Sequence, residues 1–196
     1  IHRAQGVSRV ATTNMMLTKR GPVFLSDTAI NPNPTAEELA NIAILTARTA
    51  RLFGVEPVIA MVSFSNFGSS TEPSSVKVRQ AVAILHKSHP DLIVDGEIQA
   101  DFALNAEMHQ NKFPFSKLAG KKVNTLIFPN LESANITYKL LKELDKIVSI
   151  GPIMMGMDKP VHIVQFGASV EEMVNMAAVA VVDAQEKEKR LKMPKK

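Results

Sequence analysis

Pro57-Val-Ile-Ala-Met-Val-Ser-Phe-Ser-Asn-Phe-Gly-Ser-Ser-Thr-Glu-Pro73 decides the fold. From Val58 to Ser63 the apolar run has no polar alternation, so both faces of the strand it predicts must be covered. A loop of hydroxyl, amide and glycine residues follows. After Pro73, Val78, Ala81, Val82 and Leu85 then recur on one face of a helix. A doubly buried strand, a polar loop and an amphipathic helix form the unit of a parallel sheet with helices against it.

The same unit recurs on either side. Leu92-Ile-Val94, Asn124-Thr-Leu-Ile-Phe128 and Val161-His-Ile-Val164 read as further buried strands. Thr35 and Glu38 form a capping box, which predicts a helix whose inward stripe is Leu39, Ile42, Ala43, Thr46, Ala50 and Phe53, ending at Gly54. Another helix is expected from about Leu131 to Leu144. The last opens on a second capping box, Ser169 and Glu172, and is expected to bury Val170, Met173, Val174, Ala177, Ala178 and Val181. Val10 to Leu17 reads either as a strand or as a crossing segment. The fold class is α/β, a doubly wound, mostly parallel sheet, without internal repeat or low-complexity linker.

Composition narrows the function. With 45% hydrophobic and 21% charged residues the chain is globular, and without cysteine it holds no disulfide or thiolate-metal framework. Glu186 to Lys196 carries six cations (Lys187, Lys189, Arg190, Lys192, Lys195, Lys196) against two anions, which accounts for the whole net charge of +4. A nucleic-acid binder spreads cations over a face of its fold. This pattern reads instead as a solvated or frayed terminus. The longest apolar stretch, Met176 to Val182, is too short to span a bilayer. The N-terminus shows no basic-then-apolar leader, so no signal peptide is expected, and a start at Ile1 without methionine suggests a piece of a longer polypeptide. The expectation is an intracellular, cytoplasmic unit that binds a small phosphate-bearing metabolite, with no nucleic acid, membrane or metal as partner.

Three loops are placed to carry chemistry, because ligands of open α/β sheets sit beyond the carboxyl ends of the strands. Ser63 to Thr71 offers hydroxyls and amides beside a helix N-terminus, a setting suited to phosphate, although neither G-x-G-x-x-G nor a Walker loop is present. Asp95-Gly-Glu-Ile-Gln-Ala-Asp101 gathers three carboxylates, read here as capping a helix and facing water. Ile150 to Val161, with two glycines and two prolines, is a shaped loop in which Lys159 can meet an anion. His86 and His89 read as surface residues, and His162 as a satisfied interior histidine within a strand.

Asp27 to Glu38, Ser63 to Ser70, Val94 to Gln99, Phe128 to Lys139, Ile150 to Val161 and Gly167 to Gln185, in that order, together resemble the phosphotransacetylase (phosphate acetyl/butyryltransferase) family. Ser65-Asn-Phe-Gly-Ser-Ser70 and Val181-Val-Asp-Ala-Gln185 most resemble the phosphotransacetylase-like domain at the C-terminus of bacterial NADP-dependent malic enzymes. The resemblance implies two lobes of an isocitrate/isopropylmalate dehydrogenase-like fold around a cleft. Residues 21–145 would form the middle lobe, and residues 1–20 and 146–196 part of the larger one, with dimers or larger homo-oligomers. It also implies an acetyl-CoA cleft touched by Ser65, Asn66, Gly68, Ser69, Asn135 and Lys159.

In the acetyl-transferring members a Ser-Arg pair precedes a glycine, and an aspartate follows six residues after the arginine. Here Gln165-Phe166 precedes Gly167, and Glu172 stands at the aspartate position. Losing a charged transition-state contact costs ~2–4 kcal/mol, or ~10²–10³ in rate. The expectation is therefore a regulatory domain that binds acetyl-CoA and inhibits an attached malic enzyme domain. NADP and a divalent metal (Mg or Mn) would belong to that other domain, with no cofactor in this chain. The alternatives are an active phosphate acetyltransferase and a structural oligomerisation module.

Overall fold

The computed structural model describes residues 1–192. Its strands are β1 (Ala11–Thr18), β2 (Gly21–Ser26), β3 (Val58–Val62), β4 (Ile93–Ile98), β5 (Thr125–Ile127) and β6 (Val148–Met155). They form one sheet in the order β4-β3-β5-β2-β1-β6. β1 is antiparallel to both of its neighbours, β2 and β6, and every other pairing is parallel. The α/β, mostly parallel expectation holds. The segment expected at Val10 to Leu17 is strand β1, Ala11–Thr18.

Helices α1 (Ala36–Leu52) and α2 (Pro73–Ser88) cover one face of the sheet, where Ile59, Met61, Val94 and Ile127 meet Leu39, Ile42, Val78 and Leu85. Helices α3 (Ala100–Leu104), α4 (Ala106–Lys112) and α5 (Leu131–Leu144) cover the other, where Ala60, Val62, Leu126 and Phe128 meet Ala103, Ala134 and Tyr138. Successive β3 residues thus enter opposite cores, which is why the run has no polar alternation. Thr35 and Glu38 form the expected capping box, and the stripe predicted for α1 is buried from Leu39 to Ala50. Gly54 follows the α1 C-cap with φ 72°, the left-handed position that glycine fills at little cost.

Four expectations are corrected. Val161 to Val164 is not a strand: Val148–Met155 takes that edge of the sheet, and beyond Pro160 the segment is irregular. Half of the supposed loop from Ile150 is therefore β6. Its strand character is hidden in the sequence by Gly151-Pro152, which lie at a register shift where Thr13 pairs with Ile153 and Met15 with Ile150. Bulges and edge strands are where a sheet admits proline. Gly151 is required there, because its φ is 145° and an added Cβ would lie 2.9 Å from both Asn14 Nδ2 and Thr13 O.

The second correction concerns Asp95 to Ile98. These residues continue β4, and Asp95 and Glu97 are buried instead of facing water. Asp101 does stand exposed in the first turn of α3. Third, helix α6 (Val170–Lys192) turns Met176 and Val179 to the sheet, against Met15, Phe24, Ala50 and Ile153. Of the stripe expected inside, Val170, Met173, Val174 and Val181 are exposed large hydrophobics. α6 is apolar on two sides, and periodicity did not say which one meets β6. Fourth, the basic tail, in which Lys189 and Lys192 are solvated as expected, is helical up to Lys192 instead of frayed, with ion pairs of 2.7 Å from Lys187 to Asp183 and from Lys192 to Glu188. Lys195 and Lys196 lie outside the described residues.

Candidate functional site

Register aligns the carboxyl ends of the parallel strands. Met61 pairs with Ile127, Ile127 with Ser26, Ser26 with Thr13, and Thr13 with Ile153. The loops after β2, β3, β4, β5 and β6 therefore open along one edge.

The loop after β3 is organised by its neighbour β4. Between Met61 and Val62 the β3/β4 ladder shifts, so that Met61 pairs with Gly96 and Val62 with Ile98, leaving Glu97 as the extra residue. Such a bulge re-aims a side chain. Glu97 is 0% exposed. Its Oε1 accepts from the Ser65 hydroxyl at 3.1 Å, from the Gly68 amide at 2.9 Å and from Arg79 Nη1 at 3.1 Å. The anion these donors hold is thus an internal carboxylate.

Asn66 pairs reciprocally with Gln99, accepting from its amide at 2.8 Å and donating to Gln99 Oε1. Ser69 Oγ accepts from the Asn66 amide at 3.0 Å. Ser65, Asn66, Gly68 and Ser69 are accordingly brought together as a preformed loop. Helix α2 behind it has no side-chain cap at Glu72, so its positive end faces the loop. A glycine set between two carboxylates inside a strand, Gly96, was the sequence signal for the bulge.

After β2, Asp27 is buried at the centre of the edge. One carboxylate oxygen accepts from the Thr12 amide and hydroxyl and from the amides of Ala29 and Ile30, and the other from the Asn31 amide and side chain. Thr28 donates to Asn14 Oδ1 at 2.6 Å, and Asn14 Nδ2 to Ser149 Oγ at 2.9 Å. Asn135, on α5, donates to Thr28 O at 3.0 Å. The sequence reading assigned no role to this network, which joins β1, β2 and β6.

Lys159 lies elsewhere. It lines a cavity of about 730 Å³ bounded by α1, β6 and α6, to which none of Ser65, Asn66, Gly68, Ser69 and Asn135 contributes. From β3 to β6 is four strand intervals, ~19 Å at ~4.8 Å each. Lys159 and the Ser63–Thr71 loop therefore cannot hold the same phosphate.

Gln165, Phe166 and Glu172 share a third place, a pocket of about 80 Å³ with Lys142 and Gly151. Gln165 Nε2 donates to the Tyr138 hydroxyl at 3.4 Å, and the Phe166 side chain is fully exposed. Glu172 completes the predicted capping box by accepting from the Ser169 amide at 2.8 Å, and it pairs with Lys142 at 2.8 Å. The Lys142 hydrogen bond first, and the Ser169 amide second, lower its pKa to about 2. So weak a base draws little proton from a thiol.

The histidines form no ligand set. His86 Nε2 lies 2.8 Å from Val94 O, and the half-buried His89 has its Nδ1 2.9 Å from Ser88 Oγ. His162 is interior but not satisfied. Its Nε2 is 3.3 Å from Asp183 Oδ2, and neither ring nitrogen makes a well-formed hydrogen bond. Among the described residues no group of three or more His, Asp or Glu is arranged to hold a metal, and no helix is long and apolar enough to cross a membrane.

A mostly parallel sheet with preformed loops at its carboxyl edge defines an α/β protein of the class whose ligands sit at that edge. More specifically, residues 1–181 match the Phosphate acetyl/butaryl transferase family, and the chain belongs to it. It is 45% identical over 181 residues to the NADP-dependent malic enzyme of Escherichia coli (strain K12), covering 92% of this chain and 24% of that protein. It is 47% identical over 168 residues to the phosphate acetyltransferase of Clostridium acetobutylicum, covering 85% of this chain and 50% of that one. The crystal structure of a phosphotransacetylase from Streptococcus pyogenes superposes with TM-score 0.86 at 39% identity, over 95% of this chain and 56% of that one. The chain thus spans about a quarter of the malic enzyme and about half of the acetyltransferase.

Proposed function

We propose that this chain is a regulatory phosphotransacetylase-like domain, which binds acetyl-CoA and inhibits an attached NADP-dependent malic enzyme allosterically in the cytoplasm. The observation that carries the reading is the state of the positions corresponding to the family's reacting groups. Phe166 points a neutral ring into solvent, and Glu172 is held by Lys142 and Ser169 with a pKa of about 2. The 45% identity to a malic enzyme supports the parent.

Ser65, Asn66, Gly68, Ser69 and Asn135 shape the rim that meets the pantetheine and phosphates. Lys159 stands outside this rim, in the separate cavity bounded by α1, β6 and α6. Residues 21–145 carry most of the sheet that lines the cleft, and β1 and β6, from the flanking segments, complete the same sheet. The exposed apolar side of α6 supports a further covering layer, and association through this domain into a homo-oligomer. NADP and the divalent metal act in the malic enzyme domain. Allostery of this kind requires acetyl-CoA to prefer one of two arrangements of the lobes.

The 47% identity to a phosphate acetyltransferase favours a second reading, an active enzyme that exchanges acetyl groups between CoA and phosphate. Calorimetric titration of acetyl-CoA into the full-length protein, with an assay for acetyl phosphate and for malate oxidation, separates them. Saturable binding with slower malate oxidation and no acetyl phosphate is expected. Acetyl phosphate formation would establish the enzyme. Absence of binding at millimolar ligand would leave a purely structural module.

A further inference from the structure

The 730 Å³ cavity between α1, β6 and α6 is of the size that encloses small-molecule ligands, and the loop after β3 does not reach it. Its walls are mostly apolar, with Leu45 and Leu52 from α1 and Ile153 and Met155 from β6. Set among them are Arg48, Lys159 and His162. Arg48 and Lys159 are exposed and make no hydrogen bond or ion pair among the described residues. Of the four acidic residues on the rim, Asp183 and Glu188 are already paired, with Lys187 and Lys192 at 2.7 Å each, Glu186 is half-buried and also engaged, and Asp158 is exposed.

The second, independent observation is His162. Its side chain is only 5% exposed, yet Nδ1 has no partner, and Nε2 faces Asp183 at 3.3 Å. Buried polar atoms in folded proteins are almost always satisfied, so an orphan imidazole nitrogen within a cavity wall, closed off as it stands, marks a place that a turn of the His162 ring would open to a ligand atom. Asp183, held by Lys187, orients the ring from the opposite nitrogen. The two free cations supply charge for an anionic head, and the apolar walls supply burial for its body.

We propose that this cavity binds a small organic anion, a carboxylate or phosphate monoester on an apolar body, with its head between Arg48 and Lys159 and a polar atom on His162. The site is separate from the acetyl-CoA cleft and stands whether or not that ligand binds. It gives the domain a second sensing position, on the opposite flank of the Asp27 network, where β6 and α6 meet.

Phenyl phosphate, benzoate and inorganic phosphate, titrated in turn into the full chain and followed by NMR of the His162 ring and the Arg48 guanidinium, test the proposal. One of the two organic anions is expected to saturate with one-to-one stoichiometry, and which one does so identifies the head group. Inorganic phosphate should bind about tenfold more weakly, for want of a body to bury. Arg48→Gln should weaken the organic anion about tenfold, without altering spectral dispersion. The proposal is overturned if neither organic anion saturates in the millimolar range, if inorganic phosphate binds as tightly as they do, or if Arg48→Gln changes nothing. Displacement of the bound anion by acetyl-CoA would equally overturn it, since the cavity would then be part of the cleft.

Discussion

Glu97, the extra residue of a bulge in β4, accepts the Gly68 amide at 2.9 Å from the neighbouring loop. A strand thus fixes the shape of a loop that it does not precede. With Arg79 at 3.1 Å and Ser65 sharing the same oxygen, the buried carboxylate is satisfied on the side facing the edge of the sheet.

Arg79→Leu removes the compensating charge and leaves a fully buried carboxylate with only neutral donors. Breaking a buried pair from one side costs ~3 kcal/mol or more, and the partial exposure of Arg79 reduces this to about 2 kcal/mol. Urea denaturation should show that loss as a lower midpoint with an unchanged slope. A change below ~0.5 kcal/mol would mean that Arg79 does not compensate Glu97.

Gly151→Ala meets both steric conflict and backbone strain, since its Cβ would fall 2.9 Å from Thr13 O at φ 145°. A loss of ~2–3 kcal/mol is expected in thermal or urea unfolding. Gly167→Ala, at φ 79° with open space around it, should cost only ~1–2 kcal/mol. Equal costs would remove the case for a close approach of β6 to β1.

Glu172 predicts a pH dependence with a definite sign. Its folded pKa, about 2, lies below the ordinary 4.5, so the ionised Lys142 and Ser169 contacts stabilise the fold above that ordinary value. This contribution is lost as pH falls through about 2. Carbon-detected NMR of the carboxyl should place the midpoint near that value, and Lys142→Met should move it upward. A midpoint near 4.5 in the unaltered chain would show that the pair is not formed.

The orientation of α6 is open to direct test. Met176→Ala, at a site 5% exposed, should cost ~2–4 kcal/mol. Val174→Lys, at a site 61% exposed, should cost this chain less than ~0.5 kcal/mol in unfolding experiments. Reversal of that order would put the predicted stripe back inside.

Much of the fold was legible where a residue pattern has one physical solution. An apolar run such as Val58–Val62 has to be covered on both faces, and Thr35 with Glu38 can satisfy each other's orphan backbone groups only at a helix start. β6 was not legible, because Gly151-Pro152 signals a break unless their place in a bulge opposite Asn14 of β1 is known. The inward face of α6 was not legible either, since Val174 and Met176 are equally apolar and only contact with β6 distinguishes them.

The site divides in the same way. The sequence by itself determined the α/β class, the polar loop at the end of β3, and the absence of a serine-arginine pair before Gly167. These are properties of composition and local pattern, and they need no distances. Only the tertiary structure decided that Glu97 holds Ser65 and Gly68, that Lys159 stands four strands away from them, and that His162 shares a cavity with Arg48. Those relations join residues up to 114 positions apart, His162 and Arg48 being the farthest, and depend on strand order and register. Local pattern fixes which elements form. Long-range pairing fixes which of their side chains meet.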